Sequence, residues 1–222
     1  AACDELGERI ACGAVITKYG HSEGPIANLS IYEAGHPILD ENGLEAAKAA
    51  LELTKREGDG RAVLFLVSGG GSALFESLLP GVTLEYMRGL NGRLLACGAD
   101  IQEINTIRKL FSAVKGGRFA RHCAPSKIYQ IVLSDVLGDD LGSIASGPAA
   151  PNPARAEDIR RINDKYSLGI DDKVIEGQTP VETPNVTTVM AANVRILCEA
   201  AARRAEELGY NAYIIDDAVD GD

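Results

Sequence analysis

Short β-branched runs, each about the length of a strand, alternate along this chain with stretches of helical periodicity. That alternation is the pattern of βα units feeding a mostly parallel sheet with helices on both faces. Strands are predicted at 13–17, 62–67, 129–134, 187–191 and 212–215. Four of them are nearly continuous apolar runs, as strands covered on both faces require. Between them, 42–57 carries Leu44, Ala47, Leu51 and Leu53 at helical spacing with charges opposite, and 194–208 reads the same way up to a stop at Gly209.

A chain of 222 residues, 45% hydrophobic and 24% charged, has enough apolar side chain for a sizeable core: one large α/β domain, or one domain and part of another. The formal charge of −10 repels phosphate backbones and anionic lipids, which argues against nucleic acid and membrane as partners. An anionic substrate then needs a locally basic cleft. Cys3, Cys12, Cys97, Cys123 and Cys198 are scattered with no C-x-x-C pair, so they read as reduced thiols, not as a disulfide framework or zinc site. His21, His36 and His122 form no H-x-x-x-H pair. With no run of about 20 apolar residues and no signal-peptide pattern, the chain reads as cytoplasmic.

Two segments rich in turn formers, 149–154 (AAPNPA) and 176–185 (EGQTPVETPN), are the candidate linkers. A boundary at the second divides the chain into residues 1–180 and a single β-α-β unit at 181–222, too little to bury its own faces. The chain opens in a helical pattern with no strand before it and stops just after a predicted strand, so both ends are expected to be cut.

Three segments carry chemistry. The first, Ser68, Gly69, Gly70, Gly71 and Ser72, follows the buried run AVLFLV and precedes LFESL, which can begin a helix. Consecutive glycines let backbone N–H groups close on an anion, and a helix N-terminus adds a favourable dipole. The bend lacks both the Lys-Ser/Thr of a P-loop and the G-x-G-x-x-G spacing. It binds phosphate or carboxylate, or it is a tight strand-to-helix turn.

The second, INTIRKLFSAVKGGRFA at 104–120, gathers Arg108, Lys109, Lys115 and Arg118 in an otherwise acidic chain. At helical spacing Arg108, Lys115 and Asn105 fall near one face, with Ile107, Leu110, Phe111 and Val114 on the apolar side, before Gly116 and Gly117 break the helix. Guanidinium and ammonium groups there suit a substrate carboxylate and a transferring phosphoryl group.

The third, LSDVLGDDLGSIASGP at 133–148, follows the run YQIVLS. Asp135 sits where that strand ends, the position of the ligand crevice in open parallel sheets. Asp135, Asp139 and Asp140 can ligate Mg²⁺ shared with nucleotide phosphates, or one carboxylate can accept the proton of an attacking hydroxyl. Helix capping is the competing role for Asp139 or Asp140. Ser146-Gly147-Pro148 forms a rigid turn able to face an anion. Gly35-His36-Pro37 is read as a structural turn, although His36 can reach a ligand, and Asn193 as the cap of the helix at 194.

Taken together, TKYGH, AGHP, LVSGGGSALF, LLACGADIQEINTIRKLFSAVKGGRFA and LSDVLGDDLGSIASGP resemble the glycerate 2-kinase family, whose second domain is called MOFRL and some of whose members are labelled hydroxypyruvate reductase. The strings span residues 17–148 almost without interruption. The resemblance implies a three-layer α/β/α Rossmann-like domain with a mostly parallel sheet, joined to the start of a second α/β domain, with the active site between the two. It implies phosphoryl transfer from ATP, with Mg²⁺, to a hydroxyl of glycerate, usually the 2-hydroxyl. By position it assigns Ser68–Ser72 to nucleotide phosphate, and Asn105, Arg108, Lys109 and Lys115 to ligand binding and charge neutralisation; Ser146, from the turn read above, joins the expected substrate-binding residues. Asp135 stands at the chemical centre as proton acceptor or, with Asp139, as metal ligand. The family also has an upstream strand and a G-K-A-type lysine ahead of the point where this chain begins. The alternatives are an NAD(P)H-dependent hydroxypyruvate reductase, for which the bend lacks the dinucleotide spacing, and a non-catalytic nucleotide-binding domain. The chain is compatible with a homodimer.

Overall fold

A computed structural model describes residues 2–55, 61–153 and 155–216. The chain is α/β with two parallel sheets. A short helix, α1 (Ala2–Leu6), leads into β1 (Gly13–Lys18), which pairs in parallel with β2 (Leu29–Ala34). Helix α2 (Glu41–Thr54) follows, its N-terminus capped by Asp40 accepting from Gly43 N–H. It leads into the second sheet, ordered β3 (Val63–Val67), β4 (Ile128–Leu133), β5 (Val186–Ala192), all parallel.

Between β3 and β4 lie α3 (Gly71–Leu74), α4 (Leu84–Ala96), α5 (Ile101–Phe111) and α6 (Arg118–Cys123). Helices α7 (Ala156–Lys165) and α8 (Asp172–Glu176) precede β5, and α9 (Val194–Glu207) follows it, with Asn193 capping α9 as expected. No described helix is long and apolar enough to cross a membrane.

Alternation along the strands decides what is buried. Val63, Phe65 and Val67 stand beside Ile128, Gln130 and Val132 in register, and α2, α6 and the aromatic trio Phe65, Phe75 and Phe119 pack against them. The opposite face carries the exposed Leu64, Leu66, Tyr129, Leu133 and Val189. Helices α4, α5, α7 and α8 form a second core around Met87, Leu94, Ile107, Leu110, Ile159 and Ile175.

Among the described residues β1 pairs only with β2, and β3 only with β4. A cavity of about 890 Å³, lined by Ala14 and Ile16 of β1 and Leu64 and Leu66 of β3, separates these two strand edges.

Four predicted strands form within a residue or so of their expected bounds. β2 was not anticipated, because Ser30 and Glu33 interrupt its apolar run. Residues 212–215 form no strand: no strand among the described residues pairs with them, and Tyr213 and Ile215 are exposed. The last residues of the helix expected at 42–57 lie outside the described residues. β5, past the boundary expected near residue 180, hydrogen-bonds to β4 in the same sheet as β3.

Candidate active site

Loops leave the carboxyl ends of the strands of both sheets, and three of them meet at the triple-glycine bend after β3. Each glycine is tight against a different neighbour. A β-carbon on Gly69 would stand 2.0 Å from Asp135 Oδ2, one on Gly70 3.0 Å from His36 Nε2, and one on Gly71 2.7 Å from the Ala145 methyl. Gly70 also has φ +85°, a conformation that costs side-chain-bearing residues energy. The bend is therefore the place where the loops after β2, β3 and β4 close on one another.

The helix that leaves the bend is shorter than LFESL implied. α3 ends after one turn at Leu74, because Phe75 leaves the helical conformation (φ −111°, ψ 87°) and Glu76 is buried in the interior. A single turn adds little macrodipole, so any anion here depends on side chains and on the bend's own amides.

Ser72 and Ser146 Oγ atoms lie 3.0 Å apart, and Ser146 Oγ donates to Asn105 Oδ1 at 2.7 Å. Arg108, half-buried on α5, donates from Nη2 to the Ser72 carbonyl at 2.9 Å. Burial draws its pKa down, opposed by the Glu76 charge. Among the described residues, the buried Asn105 Nδ2 and Arg108 Nε make no hydrogen bond. Lys109 is buried nearby; desolvation lowers its pKa while the Asp140 charge opposes the shift.

Lys115 departs from expectation. α5 stops at Phe111, since Ser112 Oγ accepts the N–H groups of Val114 and Lys115 and turns the chain out of the helix. Lys115 thus leaves the face that carries Arg108. It is fully buried, its Nζ 3.7 Å from Glu76 Oε2 and donating to the carbonyls of Phe75 (3.1 Å) and Ala145 (3.3 Å). Burial pulls its pKa down to about 8.

In the acidic segment Asp135 is exposed beside the bend. Asp139 accepts from Asn193 Nδ2 at 2.5 Å, and Asp140 accepts from Gly142 N–H and Ser143 Oγ, an Asx-type turn within its own loop. No three His, Cys, Asp or Glu among the described residues are grouped to hold a metal ion. A Mg²⁺ shared with nucleotide phosphates needs only one or two protein carboxylates, and Asp135 has an exposed one to offer.

The bend, Asp135, Asn105, Arg108 and Ser146 thus form one connected neighbourhood, with Lys109 beside Asp140 at its rim and Lys115 beneath it. His36, read from sequence as a structural turn able to reach a ligand, lies against Gly70, and the buried Glu76–Ser112 pair (2.5 Å) was not singled out at all. The pairing of GHP after one strand with GGG after another was the available signal for His36. A lone Glu and Ser offered none.

A protein family described as "Domain of unknown function (DUF4147)" matches residues 1–178. The chain is 48% identical over 223 residues to a protein named D-glycerate 2-kinase from Thermotoga maritima, covering 99% of this chain and 54% of that protein. It is 39% identical to a glycerate 2-kinase from Pyrococcus horikoshii, covering 95% and 50%. Relatives from Agrobacterium vitis bear a provisional hydroxypyruvate reductase name. A crystal structure of glycerate kinase from Thermotoga maritima superposes with a TM-score of 0.90 at 48% identity, over 96% of this chain and 52% of that one. These names agree with the resemblance carried by the sequence strings. The chain spans about half the length of the curated relatives it matches.

Proposed function

Because the chain belongs to the DUF4147 family, we propose that it is the phosphate- and acid-binding half of an ATP-dependent glycerate 2-kinase. The observation that carries this reading is the convergence on one bend at the carboxyl ends of the strands: the Asp135 carboxylate lies over Gly69, while at the bend's far end Ser72 takes Arg108 on its carbonyl and meets the Ser146 hydroxyl. Phosphoryl transfer needs little covalent chemistry from a protein beyond positioning and charge. The bend's amides and hydroxyls take phosphate oxygens, and Arg108 with Lys109 offsets negative charge on the substrate and the transferring group. Asp135 accepts the proton of the attacking hydroxyl or ligates Mg²⁺, which when bound neutralises phosphate charge. The absence of G-x-G-x-x-G spacing at the bend weighs against a reductase.

A further strand from the same polypeptide, lying between β1 and β3, belongs to this reading. Doubly wound sheets that bind nucleotides are ordered 3-2-1-4-5-6, with the ligand at the point where the order reverses. The sheets here are β1-β2 and β3-β4-β5, with a cavity lined by β1 and β3 between them, and a strand in that cavity would join them in that order. Such a strand would end beside Gly69.

The test is a coupled ADP-release assay on the full-length protein across a panel of small hydroxy acids, run beside NADH oxidation with hydroxypyruvate. Glycerate-dependent ADP release is expected. NADH oxidation without ADP release would overturn the reading.

A further inference from the structure

The turn that carries Ser146 is held in a conformation its sequence disfavours. Ala145 and Ser146 have φ of +52° and +62°, followed by Gly147 at +65°. Non-glycine residues occupy that region at a cost and persist there only when their surroundings impose it. The surroundings here are a run of three consecutive residues. Lys115 Nζ donates to the Ala145 carbonyl, Gly116 N–H to the Ser146 carbonyl (3.1 Å) and Gly117 N–H to the Gly147 carbonyl (2.8 Å). Gly116 and Gly117 adopt φ of +57° and +78° to present those donors, and a β-carbon on Gly117 would press within 2.9 Å of the Ala150 carbonyl.

The same Lys115 Nζ donates to the Phe75 carbonyl at the end of α3. It therefore ties the turn bearing Ser146 to the segment bearing Ser72, whose hydroxyls meet at 3.0 Å. Its counter-charge is supplied from within: Glu76 takes Ser112 Oγ on one oxygen and lies 3.7 Å from Lys115 Nζ with the other. Burying an ion pair seldom adds net stability over apolar side chains of equal volume, so stability alone is a weak reason for this one.

We infer that Lys115-Gly116-Gly117 is a clamp on the 145–147 turn, and that Lys115 is a positioning residue acting through Ser146 rather than a group that touches substrate. The kinetic arm of its test rests on the kinase reading; the exchange arm does not.

The experiment uses the full-length protein. Lys115→Met alone strands a buried Glu76 charge, so the variant to read is Lys115→Met with Glu76→Leu, which removes both charges and keeps the volume. Hydrogen exchange at the Ser146 and Gly147 amides is expected to accelerate at least roughly tenfold, while β3 and β4 amides stay as protected as before. In ADP release, kcat/KM for the acid is expected to fall roughly ten- to hundredfold, the order that small misplacements produce. ATP affinity by calorimetry should hold within about twofold. Adding Ser146→Ala to the pair variant should cost far less than Ser146→Ala costs alone, because both changes disable one device. Unchanged exchange at 146–147, or fully additive kinetic losses, would overturn the clamp. A full-length protein that releases no ADP with any hydroxy acid sinks the kinase reading, and the exchange result still decides the clamp. If the pair variant does not fold, Lys115→Arg is read by exchange instead, with unchanged protection at 146–147 counting against the clamp.

Discussion

The Asp135 carboxylate lies so close over Gly69 that any β-carbon there would meet Asp135 Oδ2 at 2.0 Å. Gly69 is not among the residues at positive φ, so space, and not backbone conformation, is what demands glycine. Gly69→Ala should displace Asp135 while leaving the exposed bend folded. The expected outcome in the full-length enzyme is a loss of turnover of roughly a hundredfold with an unchanged circular dichroism spectrum. Steady-state ADP release beside the spectrum checks it.

Asp135 itself is the next test. Asp135→Asn keeps the shape and removes the base and the charge, whichever of its two roles it fills. Turnover is expected to fall by about 10²–10⁴, the usual range for loss of a general base, with the melting temperature little changed because the side chain is exposed. Titrating Mg²⁺ separates the roles: a raised Mg²⁺ requirement marks a ligand, an unaltered one marks a base. Near-normal turnover would remove Asp135 from the chemistry.

The sequence was informative wherever one local rule dominated. Apolar runs at strand length located β1, β3, β4 and β5, and the position of Asp135 at the end of β4 followed from the general geometry of parallel sheets. It was uninformative wherever a tertiary partner overrode the pattern. The helical periodicity through Val114 continues past Phe111, but one serine hydroxyl, Ser112 Oγ, takes two N–H groups and ends α5. Lys115 then enters the interior, which a cation does only where Glu76 and two carbonyls wait for it. Residues 212–215 have strand composition and no described strand beside them.

Arg108 gives a prediction that separates substrates. Its guanidinium holds the Ser72 carbonyl and reaches the interior near Glu76. Arg108→Ala should raise KM for glycerate by roughly ten- to hundredfold, the equivalent of one charge-assisted hydrogen bond, and move KM for ATP far less. Arg108→Lys should recover only part of the loss, since an ammonium cannot reproduce a planar fork. An unchanged KM for glycerate would remove Arg108 from the acid site.

Glu103 supplies a pH dependence remote from the chemistry. It closes the capping box of α5 and accepts from Lys165 Nζ (2.8 Å) and Tyr166 Oη (2.6 Å), tying α5 to α7. Lys165 first, then Tyr166, hold its carboxyl at about 2, below the ordinary 4.5. With the folded value the lower one, the unfolded chain binds more protons between the two, so this stabilisation is whole above about 4.5 and is lost as pH falls through 2. Lys165 is half exposed, and solvent screening limits the effect to the order of 1 kcal/mol. Urea midpoints at pH 6 and pH 3 should therefore differ less for Glu103→Gln than for the parent. Equal pH dependence in the two proteins would mean that the α5–α7 contact draws nothing from this charge.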